Sequence, residues 1–296
     1  MTALTETADR QSLWSKTAGV LKKSVERARW STFLLSIFGA LLATIASQLD
    51  QPQPRLYVAI AGAVVLAIMS FLASRLLSGT QVTNWVRARA AAEALKREAY
   101  KYAARAAPYD DPAKRDAVLN DERDRIEQDM DDLTGLQVAT SDSGSLPRDD
   151  LTRDEYVERR VRQQIRYYLD KAEAYRKIAR IMRWSELALA LAATVITAVV
   201  GVAGKEVFGF KFDFVAITAV ITTVAGAILA HIEASRYDFL VTTYRATARR
   251  LGSELARTND TGGMSGENWS AFVQRCESIL SEENTNWVAK WSKPPQ

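Results

Sequence analysis

The chain has 296 residues, 48% hydrophobic and 25% charged, with 39 Lys and Arg against 35 Asp and Glu. That length admits one or two domains with an ample core, and a net charge of +4 is too small and too scattered to indicate a nucleic-acid binder. A single cysteine, Cys276, excludes an intrachain disulfide and a Cys-rich metal site.

In chain order, residues 1–12 read as a disordered start. A helix is expected from Leu13, with Trp14, Ala18, Leu21, Val25 and Ala28 along one seam at alternating spacings of four and three. Lys22, Lys23, Arg27 and Arg29 lead into an apolar, uncharged block at residues 31–48, and a second block follows at 56–74. A bilayer core about 30 Å thick takes about 20 helical residues, so the two blocks read as a transmembrane hairpin. A charged helix precedes it, which excludes a cleaved signal peptide. A stem follows, with the seam Trp85, Ala88, Ala92, Leu95, Ala99 and Tyr102. Residues 113–133 form an acidic helical piece without the ligand spacing of a calcium loop. The Gly/Ser/Thr/Asp/Pro stretch at 135–150 reads as a disordered linker.

The same pattern then repeats. Between Arg148 and Val200 there is neither Gly nor Pro, so one helix is expected to run from a charged stem near residue 154 into an apolar span at 187–203. A polar corner precedes a fourth span at 214–230 and a closing stem. Trp14, Ala18, Leu21, Val25 and Ala28 recur 154 positions later as Tyr168, Ala172, Tyr175, Ala179 and Met182. Arg89-Ala90, Ala92, Leu95 and Glu98 recur 156 positions later as Arg245-Ala246, Ala248, Leu251 and Glu254. The chain is therefore read as an all-α membrane protein of two tandem parallel repeats, with four transmembrane helices on long cytoplasmic coiled-coil-like stems. The expected divisions are 13–133 for the first repeat, 134–152 for the linker and 153–296 for the second repeat. That last part ends in an amphipathic helix bearing Trp269, Phe272, Cys276, Ile279, Leu280, Trp287 and Trp291. Basic residues crowd the stem ends of all four spans, while the corners hold only Arg55, Lys205 and Lys211. The positive-inside rule then makes both termini and the stems cytoplasmic, and a multi-pass protein of the inner (plasma) membrane is expected.

Candidate chemistry is sparse. The sequence carries no phosphate-binding loop, dinucleotide fingerprint or nucleophile elbow, so neither an enzyme nor a cofactor is expected. Ser36 and Ser47 share a small-residue face of the first span, and Thr218 and Thr222 one of the fourth. Such faces serve close helix packing, or line a pore with hydroxyls. Glu186, His231 and Glu233 lie at the cytoplasmic margin, where they would ring a pore mouth in an oligomer; pairing of the two carboxylates with Arg183 and Arg236 is the plainer reading. Leu95 and Leu251 mark equivalent positions in the stem seams. Four thin spans enclose little water, so a pore requires several copies of the chain.

Three motifs together resemble a known family: Arg-Ala-x-Ala-x-x-Leu-x-x-Glu after a two-span hairpin, Arg-Gln-Gln-Ile-x-Tyr-Tyr-x-x-Lys-Ala at 162–172, and Phe-Val-x-x-Cys-Glu ahead of Trp287. They are similar to the SLATT family, the two-transmembrane effector domains that associate with SMODS nucleotidyltransferases and SLOG sensors. The resemblance covers nearly the whole chain, most clearly residues 156–291, here in tandem duplicated form. It implies an oligomeric, pore-forming membrane effector of a prokaryotic antiviral or conflict system, dissipating the membrane potential when a nucleotide-signalling or sensor protein activates it. The alternative is a non-conducting membrane anchor that recruits a cytoplasmic sensor or enzyme.

Overall fold

The computed structural model describes residues 2–76, 79–139, 144, 146–203, 214–259 and 266–291. Among these the fold is helical throughout, without strands. The elements are α1 (Ala3–Gln48), α2 (Pro52–Leu76), α3 (Gly79–Ala103), α4 (Arg115–Gln128) and a 3-10 turn (Asp131–Leu136). They continue with α5 (Arg153–Tyr156), a π-helical turn (Val157–Arg162), α6 (Gln163–Ala203), α7 (Phe214–Ser235), α8 (Tyr237–Asn259) and α9 (Gly266–Trp291). Four helices are long and apolar enough to cross a membrane, at the positions that the sequence indicates.

α1 is a single helix of 46 residues, about 70 Å long at 1.5 Å per residue, so one rod carries both stem and first span. It begins ten residues before its expected start. Thr2 caps it, its hydroxyl accepting from the Thr5 N–H at 3.2 Å, and Leu4, Thr7 and Ala8 are buried. Order there comes from the acidic piece: Arg10 reaches Glu127 at 2.7 Å and the Trp14 indole donates to it at 3.1 Å. The first repeat folds as α1 against α2 and α3, and the second as α6 against α7 and α8. The α1–α2 approach is close, since a Cβ on Gly39 would lie 2.6 Å from Leu66 Cδ2.

The seam residues are inward. Trp14, Ala18, Val25, Ala88, Ala92 and Leu95 are buried in the first repeat, as are Tyr168, Ala172, Tyr244, Ala248 and Leu251 in the second. They do not stand as two separate coils. One apolar core runs through both repeats and includes α9, which lies on α3 and on α8. The C-terminal helix therefore packs on its own chain's stems and joins the repeats.

Two places depart from straight helix. At Arg236 the backbone turns left-handed (φ 53°) between α7 and α8, costing about 1–2 kcal/mol for a residue with a Cβ. There the fourth span and its stem change direction. The π turn Val157–Arg162 lies inside one helical run from Arg153 to Val202, as the sequence indicates, and inserts an extra residue per turn. Of the 135–150 stretch, residues 140–143 and 145 lie outside the described residues. Its ends are held, with the Val138 N–H on Thr17 Oγ1 at 3.0 Å and Asp150 bonded by Arg105 and Arg115. The corner at 204–213 and the 260–265 stretch also fall outside the described residues.

Candidate functional site

The two hairpins meet where α1 packs on α7, so the first and fourth spans, which carry the small-residue faces, are neighbours. Thr44 ties them, its hydroxyl donating to the Ala216 carbonyl at 3.3 Å. Sequence reasoning passed over Thr44, although it lies two turns beyond Ser36 of the face already marked. The four marked hydroxyls turn back on their own helices instead. Ser36 donates to the Phe33 carbonyl, Ser47 to Thr44, Thr218 to Phe214 and Thr222 to Thr218, at 2.7–3.0 Å. Ser36 and Thr218 are half-buried, whereas Ser47 and Thr222 are exposed on the single chain. Hydroxyls bonded in this way satisfy their own donors and still offer lone pairs outward. Most of the span surface is open: Leu34, Phe38 and Ile45 on α1 and Leu187, Leu191 and Val195 on α6 are exposed apolar side chains.

At the junction of spans and stems, His231 is enclosed between the repeats. Its ring lies 4.8 Å from Trp30 and 5.2 Å from Phe33 between centroids, and its Nε2 is 3.3 Å from the Tyr237 hydroxyl. Glu186 is half-buried and Glu233 exposed on the single chain. The basic neighbours expected to pair with those carboxylates go elsewhere. Arg183 pairs with Asp238 across α6 and α8, and Arg236 donates to the Lys290 carbonyl of α9. A cavity of about 170 Å³ opens beside His231, walled by α1, α3, α6, α7, α8 and α9. Every stem element of both repeats thus meets at this level.

Further from the spans, buried ion pairs lock the stems. The π turn aims Arg160 at Glu277 of α9 through two hydrogen bonds, Nε at 2.9 Å and Nη2 at 2.7 Å. The Tyr156 hydroxyl donates to the same carboxylate at 2.9 Å, and the guanidinium stacks over Tyr100 of α3 at 4.6 Å. α3, the π turn and α9 therefore meet at one charge. Glu98 and Glu254, matching positions of the two repeats, are both buried carboxylates. Glu98 receives Lys101 at 2.7 Å, Arg97 at 2.8 Å and the Tyr109 hydroxyl at 2.8 Å, and Glu254 receives Arg275 at 2.8 Å. Burial pushes the Glu98 carboxyl up, but the Lys101 charge and these hydrogen bonds outweigh it and hold it below the usual range. Burial drives the Cys276 thiol well up, as in an inert packing cysteine. Leu95 and Leu251, on the same two helices, are fully enclosed. The sequence offered Glu98 and Glu254 only as repeat identities, and it gave no signal for Arg160.

Residues 156–287 match the family described as SMODS and SLOG-associating 2TM effector domain 1, SLATT_1. Residues 12–117 match DUF4231, a family of proteins of unknown function. No curated protein and no solved structure matches the chain. The SLATT_1 match spans the second hairpin with its stems, from the α5–π junction to Trp287 of α9, and the DUF4231 match spans the first hairpin.

Proposed function

With a SLATT domain in its second half and four apolar spans, we propose that this chain is a membrane effector that assembles from several copies into an ion-conducting pore. The observation that carries the reading is the match of residues 156–287 to a two-transmembrane effector domain. The setting is a prokaryotic antiviral or conflict system. The pore dissipates the potential of the inner membrane once a nucleotide-signalling or sensor partner acts on the stems. The basic residues at the stem ends support cytoplasmic termini and stems.

The packing supports a regulated rather than a constitutive opening. Within one chain α1 rests on α2 and α7, and four helices in contact leave no wide aqueous path, so the path forms between copies. α9 joins both stem pairs, and a force on the stems is thereby delivered to both hairpins together. On opening, Ser36, Ser47, Thr218 and Thr222 turn their free lone pairs toward the path, with Glu186, His231 and Glu233 at its mouth.

Reconstitution of the full chain into potassium-loaded liposomes, with a nucleotide-signalling or sensor protein added, tests this through a potential-sensitive dye. Depolarisation is expected. Thr218→Val/Thr222→Val is expected to lower the flux while leaving the oligomer intact, because neither hydroxyl bonds another helix. An assembly that binds its partner but passes no ions is a membrane anchor, and the pore reading fails.

A further inference from the structure

We infer that the cavity at the stem junction is a binding site for the phosphate headgroup of an anionic phospholipid, seated between the two repeats. Its wall brings Lys22, Arg29, Arg89 and Lys171 against a single carboxylate, Glu26. Lys22 is engaged with Glu26 at 3.5 Å. The guanidiniums of Arg29 and Arg89 have no hydrogen bond or ion pair among the described residues. They lie instead over the indoles of α9, Arg29 at 4.6 Å from the Trp291 centroid and Arg89 at 4.1 Å from that of Trp287. Stacking fixes a guanidinium by its face and leaves its edge donors for an acceptor. Burial disfavours the charge of Arg89, but Glu283 and Glu93 outweigh that and keep it a cation without bonding it.

A second, independent observation points to the same occupant. Among the described residues the buried Trp291 indole N–H has no hydrogen-bond partner, and Trp291 lines this cavity. Buried donors are almost always satisfied. Two unpaired guanidiniums and an orphaned N–H around one space call for a group that only accepts, carries negative charge and has several oxygens. A phosphate diester meets all three requirements.

Place and size select the lipid as its source. The cavity lies where the charged stem of α1 becomes its apolar span, which in a bilayer is headgroup level. From it the exposed side chains Trp30, Leu34, Phe38, Leu41 and Ile45 climb α1 at spacings of four and three, an apolar track for an acyl chain. A space of about 170 Å³ suits a phosphate with part of its glycerol. It is well below the roughly 300 Å³ at which pockets for drug-sized ligands begin. The inference rests on the chain lying in a membrane and not on its conducting ions.

The test titrates the full chain in neutral detergent with short-chain phosphatidylglycerol, short-chain phosphatidylcholine or inorganic phosphate, reading intrinsic tryptophan fluorescence from the cavity. Saturable binding of phosphatidylglycerol in preference to phosphatidylcholine is expected, without displacement by millimolar phosphate. Arg29→Gln and Arg89→Gln should each weaken it about fivefold, and together about thirtyfold. Trp291→Phe, which keeps the ring and removes only the N–H, should weaken it severalfold, whereas Lys177→Gln, an equal loss of charge on an exposed stem position, should not. Gel-filtration profiles establish that each variant is folded, and the Trp291→Phe arm stands if an arginine variant is not. Equal binding of the two lipids, or unchanged affinity in folded Arg29→Gln/Arg89→Gln and Trp291→Phe, overturns the proposal. Saturation by phosphate alone with loss of lipid binding makes it a free-anion site and refutes the lipid assignment. Failure of ion flux with lipid selectivity intact would refute the pore and leave this site standing.

Discussion

Substitution of Glu277 by Gln isolates the charge on which the two stems converge. The side chain keeps its shape, but Arg160, 2% exposed, loses the carboxylate that it grips through two hydrogen bonds. Breaking a buried ion pair by removing one partner costs about 3–5 kcal/mol, because the remaining charge stays desolvated. The residual field of Glu93 and the stacking on Tyr100 persist, which places the expectation near the lower end, about 3 kcal/mol. At roughly 2–4 °C per kcal/mol for a domain of this order of size, Tm should fall by about 6–12 °C. Intrinsic tryptophan fluorescence in detergent reads the transition, and Trp269, whose ring lies 5.5 Å from that of Tyr156, reports the locality. The double variant Arg160→Met/Glu277→Leu removes both charges and should recover most of the loss. A fall of under about 2 °C for Glu277→Gln, or a double variant no more stable than the single, would refute the view that this pair locks α9 to the π turn.

Leu95→Asp and Leu251→Asp each place an unpaired carboxylate at a fully buried seam position and should cost about 3 kcal/mol or more. Arg250→Asp loses only an exposed pair with Glu282 and should cost no more than about 1 kcal/mol; equal yields of folded protein for the three would refute the seam. The folded Glu98 carboxyl lies below its unfolded value of about 4.3. Its stabilisation is therefore complete above that value and is lost as the pH falls through the folded one. Tm measured from pH 7 down to about 3 should drop less steeply for Glu98→Gln than for the natural chain. Gln53→Cys in a Cys276→Ala background should react with an impermeant thiol reagent on intact spheroplasts, and labelling only after permeabilisation would reverse the proposed orientation.

The spans, the repeat and the stem seams were written in the sequence, because each is a sum over neighbours along the chain. Charge-free blocks such as 31–48 need no partner to be recognised, and Leu95 and Leu251 betray their burial through spacings of three and four. Tertiary structure decided what lies across those seams. The order of residues 3–12 depends on Glu127, 117 positions from Arg10, and no local pattern announces that contact. The stems of both repeats share one core because α9 presents aromatic side chains to both at once. A heptad pattern fixes which face is buried but not how many helices cover it. Arg160 reads in sequence as one more charge in an Arg-rich run; only the π turn, with its extra residue, brings it inward to Glu277. His231 reads as a margin residue, and the α1–α7 contact encloses it between Trp30 and Tyr237. Hydropathy and periodicity are properties of one helix, whereas a buried charge or an enclosed ring is set by the helices that meet around it.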